Sequence, residues 1–352
     1  MSCSLSQKRN DRYKPALAWL AWFTVGWTLL LLLMGGFTTS IGAGMVFLDW
    51  PLSDGSLNPS GWLHDQDMFA EHSHRLLGAQ VGLLVIALAI WLFLREERRW
   101  LRRLGTAAFV LVAIQGLLGG GRVVFDQLNI QTEHNYLAQT LAIIHACTAQ
   151  AFLCVIVGMA LALSRFWIER GAGILRPVDN ALRTWGIVAC AAVFLQLILG
   201  AVMRHHDAGL AIPYFPLSSA DSLLPPAWNF QVGIHFAHRV GAAAVSIVLL
   251  IFAWKLWYSD RVAVALKGMG AGLVFLLGAQ IYLGASIIWF HRNPYPTTLH
   301  VIVGALILAL AWGITFSFFR ATGAKRSFPA RVTDREKANR GLDAPLTDAT
   351  SQ

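Results

Sequence analysis

The chain has 352 residues, of which 56% are hydrophobic and only 13% are charged. A soluble domain carries about 25% charged residues, so this composition excludes an ordinary soluble fold and indicates that lipid surrounds most of the chain. The formal net charge of +9 does not indicate a nucleic-acid partner, because the basic residues follow the topology of a membrane protein.

Eight apolar stretches are each long enough to cross about 30 Å of hydrocarbon at about 1.5 Å per helical residue. They cover approximately residues 16–40, 73–94, 104–122, 137–163, 184–203, 232–257, 268–290 and 299–319. The sequence therefore predicts an all-α integral membrane protein with eight transmembrane helices.

Twenty-three of the 28 Lys and Arg residues fall on one side of these spans. By the positive-inside rule that side is cytoplasmic, which places both termini in the cytoplasm. The short N-terminal tail favours a bacterial plasma membrane over a mitochondrial inner membrane. Five basic residues remain at the outer ends of helices and need a separate explanation: Arg75, Arg122, Arg204, Arg239 and Arg292.

A shift of about 165 residues superimposes the two halves of the sequence. Each half has four helices, an even number, so the repeats run parallel and are related by an axis along the membrane normal. The shift aligns Gln115–Gly119 with Gln280–Gly284 and brings His74-Arg75 to within one residue of His238-Arg239, while His145 in the fourth helix corresponds to His300 in the eighth. The predicted organisation is an N-terminal tail (1–15), a four-helix bundle (16–165), a cytoplasmic linker (166–183), a second four-helix bundle (184–320) and a disordered cytoplasmic tail (321–352).

Four histidines occupy these repeat-related positions in the outer half of the membrane: His74, His145, His238 and His300. Ionisable groups at that depth are costly and usually functional. Facing histidines on two helices can supply both axial ligands of one haem iron, which predicts the pairs His74 with His145 and His238 with His300. A single such histidine is more often a hydrogen-bonding residue between helices, and zinc would need further ligands that neither half offers.

An arginine directly follows the histidine in the second helix of each half. A haem carries two propionates that need positive partners at the polar end of its pocket. Arg75 and Arg239 are therefore predicted to bind propionates.

The repeats differ at Glu71, whose counterpart in the second half is His235. Glu71 lies one helical turn from His74 on the same face, where a carboxylate could accept a proton during chemistry on a bound substrate. The alternative is an interfacial glutamate paired with Arg75. The asymmetry predicts a catalytic site in the N-terminal half and an electron-transfer or structural haem in the C-terminal half.

This pattern of four histidines and two His-Arg pairs on duplicated four-helix units resembles haem A synthases over approximately residues 16–320. The resemblance implies an enzyme that oxidises the C8 methyl group of haem O to the formyl group of haem A for terminal cytochrome oxidase. It also implies that His74 and His145 flank the substrate haem, that Glu71 assists the oxidation, and that His238 and His300 ligate a haem b cofactor. Some members carry a cysteine pair in the outer loop after the first helix, and residues 41–71 contain none.

The implied partners are haem O and membrane lipid, with haem O synthase and assembly factors of cytochrome oxidase as candidate protein partners. Two other functions fit four membrane histidines: a dihaem b-type electron carrier and a haem transporter. An electron carrier should hold both haems permanently, whereas a synthase should exchange one of them.

Overall fold

The computed structural model describes residues 13–128 and 135–320. In this part of the chain, eight helices are long and apolar enough to cross a membrane, which confirms the predicted spans. We label these spanning helices α1 to α8, and they cover Pro15–Ile41, Gln66–Arg95, Arg99–Leu128, Tyr136–Leu163, Asn180–His205, Phe230–Trp257, Val264–Trp289 and Pro294–Phe318. Most of the N-terminal tail, the whole predicted tail 321–352 and His134 lie outside the described residues.

Helix α2 begins seven residues earlier than hydropathy predicts. The side chain of Asp65 caps it by accepting hydrogen bonds from the backbone amides of Asp67 (3.0 Å) and Met68 (2.9 Å). The first two turns are polar, so they carry no apolar signal although they are helical. As a result Glu71, which lies before the predicted span, is inside α2, and His74 lies two turns from the start of the helix.

Helices α4 and α8 lie at the centre of the molecule. In their apolar windows 61% and 56% of the residues are buried, against 17 to 33% in the other six helices. Consecutive helices pack together within each half. In addition, the first helix of each half packs on the fourth: α1 on α4, and α5 on α8. Across the halves α1 packs on α8 and α4 packs on α5, with α4 against α8. This packing is consistent with two parallel four-helix repeats.

Hydrogen bonds join the two halves near the C-terminal ends of α1 and α5 and the N-terminal end of α4. Arg204 of α5 donates to the carbonyl oxygen of Gly36 (2.7 Å) and to the hydroxyl of Ser40 (2.8 Å) in α1. Gln139 of α4 donates to the carbonyl oxygen of His205 at 2.7 Å. In a bilayer such polar groups need protein partners, so these bonds stabilise the contact between the halves.

The predicted linker is folded against the connection between α6 and α7. The amide of Ala263 donates to the carbonyl oxygen of Gly173 at 2.7 Å, and the amide of Leu175 donates to the carbonyl oxygen of Arg261 at 2.8 Å. Trp167 is buried beneath this segment. The division of the chain into two bundles with these boundaries stays a prediction.

We expect Gly186→Ala to destabilise the contact between α5 and α8. A Cβ atom at Gly186 would lie 2.6 Å from the hydroxyl oxygen of Thr315, and overpacking of this kind typically costs about 1–3 kcal/mol. Thermal unfolding in detergent measures the loss. Gly26→Ala in α1 is the matched control, because nothing lies within 4 Å of its new Cβ. Equal melting temperatures for the two variants would contradict the expectation.

Candidate functional site

Each of the four predicted ligand histidines packs against a glycine of the preceding spanning helix. A Cβ atom at these glycines would lie very close to the histidine Cε1 atom: 2.6 Å for Gly35 and His74, 3.3 Å for Gly119 and His145, 3.1 Å for Gly200 and His238, and 3.2 Å for Gly284 and His300. Only glycine lets a helix approach an imidazole ring so closely. The repeat aligns Gly119 with Gly284, but the sequence carries no signal of their contact with histidine, and Gly35 and Gly200 are also 165 residues apart.

In the C-terminal half a glutamine lies one turn before each of the two contacting glycines, and its side chain reaches the histidine ring. The amide nitrogen of Gln196 is 3.1 Å from His238 Nδ1 and donates to the His238 carbonyl oxygen at 2.8 Å. His300 Nδ1 lies 3.2 Å from the carbonyl oxygen of Gln280, and its Nε2 lies 3.2 Å from the Gln280 amide nitrogen. Donation from Nδ1 to the carbonyl leaves Nε2 unprotonated, the form that binds a metal.

The N-terminal half has one such glutamine. In the orientation that satisfies both polar atoms of its amide, Gln115 places its nitrogen 3.2 Å from Nδ1 and from the carbonyl oxygen of His145. Leu31 occupies the corresponding position before Gly35. The Leu31 backbone lies near the His74 ring, but His74 Nδ1 is buried without a hydrogen-bond partner in the described chain.

The spacing of the C-terminal pair fits two axial ligands of one haem. The ring centroids of His238 and His300 are 6.4 Å apart, with an angle of 60° between the rings. A metal–nitrogen bond of about 2.0 Å and a distance of about 1.1 Å from that nitrogen to the ring centre give about 6.2 Å for two imidazoles on opposite sides of an iron. The described residues contain no group of three His, Cys, Asp or Glu that could hold a metal ion, so a tetrahedral zinc site lacks ligands.

Arg75 and Arg239 each donate to three backbone carbonyls of the outer loop in their own half. The acceptors are Phe47 (2.8 Å), Asp49 (2.6 Å) and Leu52 for Arg75, and Ile212 (3.0 Å), Tyr214 (2.6 Å) and Leu217 (3.0 Å) for Arg239. Each acceptor in one loop is 165 residues from its counterpart in the other. The two arginines therefore anchor the loops, and propionate binding by them stays a prediction that would compete with these bonds.

Glu71 is 3% exposed and takes part in the same anchoring. Its Oε1 accepts from Arg75 at 2.5 Å, and its Oε2 accepts from the amides of Val46 (2.6 Å) and Phe47 (3.2 Å). In the second half, His235 Nδ1 accepts from the Ile212 amide at 3.2 Å. The pairing of Glu71 with Arg75, the alternative weighed above, is thus observed, and the catalytic role of Glu71 stays a prediction.

Asp49 closes the turn of the first outer loop. Its carboxylate oxygens accept from the amides of Asp54 and Gly55, both at 2.8 Å. Burial acts to raise the pKa of Asp49, but these hydrogen bonds and the charge of Arg75 outweigh it, so the pKa is lowered. Asp49 is therefore ionised at neutral pH and helps to hold the loop in one conformation.

Arg122 is the remaining outer arginine that faces the N-terminal histidines. A Cβ atom at Gly44 in the first outer loop would lie 3.3 Å from its guanidinium, and it interacts electrostatically with Glu71, Asp126 and His145. In the described part of the chain it makes no hydrogen bond or ion pair. By contrast Arg292 pairs with Asp207 at 3.3 Å.

Eight apolar helices in the described part of the chain define a polytopic membrane protein, and its two repeat-related histidine pairs are candidate ligands of planar metal cofactors. A family model described as cytochrome oxidase assembly protein, COX15-CtaA, matches residues 18–312. The chain belongs to this family, which confirms the resemblance drawn from the sequence.

Curated relatives match over most of their length and are named Heme A synthase. The protein of Symbiobacterium thermophilum is 31% identical over 293 residues, 81% of this chain and 89% of the relative. That of Geobacillus kaustophilus is 26% identical, covering 94% of this chain and 98% of the relative. The protein of Exiguobacterium sp. is 25% identical, and the match covers 87% of this chain and 94% of the relative. With such relatives and eight apolar helices, the chain is an integral membrane protein of bacterial type.

We expect Gly284→Ala to weaken haem binding at the C-terminal pair, because the added methyl group would displace the His300 ring. The measurement is the haem content of the purified protein and its low-spin absorption spectrum. Gly278→Ala, on the same helix with nothing within 4 Å of the new Cβ, should retain wild-type haem. A Gly284→Ala protein with wild-type haem content and spectrum would show that the close contact does not position the ligand.

Proposed function

We propose that this protein is a haem A synthase, which oxidises the C8 methyl group of haem O to the formyl group of haem A for terminal cytochrome oxidase. The observation that carries the proposal is the combination of membership in the family with two histidine pairs whose surroundings differ. A dihaem electron carrier would need two similar retained haems, and here only one half has a carboxylate beside its ligands. A haem transporter would have no use for that carboxylate.

Within this proposal, His74 and His145 flank haem O and His238 and His300 ligate haem b. The glycine contacts fix the four rings, and the glutamines hold three of them by hydrogen bonds. When bound, the haem iron supplies the oxidising chemistry, and the protein supplies position and ligands. Haem O carries a farnesyl tail, so it partitions into lipid and can enter between helices.

Glu71 is the residue we propose to accept a proton as the methyl group is oxidised. The amides of Val46 and Phe47 and the guanidinium of Arg75 hold its carboxylate in place by hydrogen bonds, and a carboxylate is a group that can act as a base. Since His74 lies one turn along the same helix face, the carboxylate is beside the substrate ligand. His235 cannot supply this negative charge in the other half.

Arg122 is the cation we propose to pair with a propionate of haem O. It is placed next to His145 and Glu71, and its donors are not committed to protein acceptors in the described chain, unlike those of Arg75. Its repeat counterpart is Ile287, so this cation distinguishes the N-terminal site from the C-terminal one. A buried guanidinium gains most from a bidentate carboxylate partner.

We also propose that both termini are cytoplasmic in a bacterial plasma membrane, with the histidines in the outer half. The distribution of Lys and Arg supports this orientation. Haem O synthase and assembly factors of cytochrome oxidase are the candidate protein partners, because a lipid-soluble haem must be received from one protein and delivered to another.

We expect Glu71→Gln to abolish or strongly reduce turnover while the protein still folds and binds haem. Glutamine keeps the size of the side chain and an acceptor for the loop amides, but it removes the negative charge. The measurement is extraction and chromatography of the haems after expression in cells that make haem O. The wild type should contain haem B and haem A, and the variant should accumulate haem O or a hydroxylated intermediate.

The control is Glu97→Gln, the same substitution at an exposed position beyond the other end of α2. It should leave the haem composition unchanged. Two equivalents of haem B without modified haem in any of the proteins would favour the electron carrier. Normal haem A in Glu71→Gln would remove the glutamate from the mechanism.

We expect Arg122→Gln to raise the KM for haem O about tenfold, which corresponds to the loss of about one charge-assisted hydrogen bond. The haem b content should stay unchanged. Titration of haem O against product formation gives the value. Arg292→Gln removes a charge whose partner Asp207 is largely exposed and serves as the control. An unchanged KM in Arg122→Gln would return the propionate role to Arg75.

A further inference from the structure

Arg204, one of the five arginines at the outer ends of the helices, lies beside the C-terminal histidine pair. It is four residues, about one helical turn, beyond Gly200, the glycine that packs against His238. This turn leads toward the second outer loop, where α5 ends at His205. Arg204 also interacts electrostatically with His300 of α8. The guanidinium therefore lies at the end of the C-terminal site that the outer loop covers.

Neutral groups of α1 and α8 fix the position of this guanidinium. Its Nη2 atom donates to the carbonyl oxygen of Gly36 (2.7 Å) and to the hydroxyl of Ser40 (2.8 Å). The hydroxyl of Thr298, two residues before His300, donates to the same Ser40 oxygen at 3.0 Å. Arg204 is thus one hydroxyl group away from the helix turn that carries a candidate haem ligand.

The charge of Arg204 has no anionic partner in the part of the chain that the structure describes. There it forms no ion pair, and its Nε and Nη1 atoms make no hydrogen bond. A charge that acts on it is another cation, Arg292, which is itself paired with Asp207 at 3.3 Å. A guanidinium held away from bulk water is costly unless an anion compensates its charge, so this position favours a carboxylate ligand.

The repeat shows that this cation belongs to the C-terminal site alone. Its counterpart in the first half is Thr39, whose hydroxyl donates to the carbonyl oxygen of Gly35 within its own helix at 2.9 Å. The N-terminal site has Arg122 of α3 instead, and the matching residue of α7 is Ile287. The two sites therefore receive their outer cations from different helices of the repeat.

We propose that Arg204 binds a propionate of the haem held by His238 and His300, and that its charge raises the midpoint potential of that haem. A guanidinium offers two parallel N–H groups to a carboxylate, and a nearby positive charge favours the reduced form of the iron. Arg239, which the sequence favoured for this contact, is committed to three loop carbonyls. The inference rests on the proposed function, because it places the resident haem at this histidine pair.

The test is a potentiometric titration of the purified holoprotein, followed by haem absorbance. His300→Ala, which removes a ligand, identifies the component that belongs to the C-terminal pair. Arg204→Gln should change the ratio of ferric to ferrous haem in that component at least tenfold, a shift of about 59 mV to lower potential. Arg204→Lys keeps the charge and should retain most of the wild-type potential.

Two controls separate the charge of Arg204 from its structural bonds. Arg183→Gln removes a positive charge from the other end of the same helix, about 31 Å away at about 1.5 Å per residue, and should leave the potential unchanged. Ser40→Ala removes a hydrogen-bond acceptor of Arg204 but no charge, so it should also keep the potential. Resonance Raman spectra give a second readout, because the bending band of the haem propionates should shift in both Arg204 variants.

An unchanged potential in Arg204→Gln, or an equal fall in Ser40→Ala, would overturn the inference. If Arg204→Gln does not fold, the Raman spectrum of Arg204→Lys carries the test, and an unchanged propionate band there would overturn the inference as well. Formation of haem A by the wild type tests the proposed function separately. Its absence would refute the proposed activity, whereas normal haem A formation with an unresponsive potential would refute only the role of Arg204.

Discussion

Close contact between an imidazole ring and a glycine of the next helix sets the spacing of the helix pairs in this protein. Lipid offers no hydrogen bonds to a polar ring, so each histidine must be enclosed by protein. Glycine allows that enclosure without a gap, as small residues do generally at helix contacts in membranes. The same contact occurs between α1 and α2, α3 and α4, α5 and α6, and α7 and α8, so it positions all four rings in the same way against the preceding helix.

The outer loops depend on the same helices through a different interaction. Arg75 and Arg239 follow directly after a ligand histidine, and a residue one position along a helix points about 100° away. The ring therefore faces the neighbouring helix while the guanidinium reaches the loop carbonyls. Burial of a cation against three carbonyl oxygens satisfies both the charge and the backbone acceptors. Ligand position and loop position are consequently fixed by adjacent residues.

The number of spans could be predicted from the sequence because long apolar stretches leave a residue-type signal. The repeat is consistent with the packing of the helices, and the pairing of the histidines on haem iron stays a prediction. The start of α2 could not be predicted, since its polar first turns resemble a loop until the Asp65 cap is seen. The hydrogen-bond acceptors of Arg75 could not be predicted either, because they are backbone carbonyls, which every residue has. Gly35 and Gly200 lie in apolar helices, where only the contact with a histidine shows which residue matters.

The halves share one scaffold and differ in charge beside the candidate ligands. Glu71 and Arg122 add charge to the N-terminal site where the C-terminal site has His235 and Ile287. Both changes suit a site that binds a carboxylate-bearing substrate and moves a proton. The scaffold packs all four imidazoles against glycines in the same way, so the difference between the proposed site of reaction and the proposed resident haem site lies in the charges beside the rings.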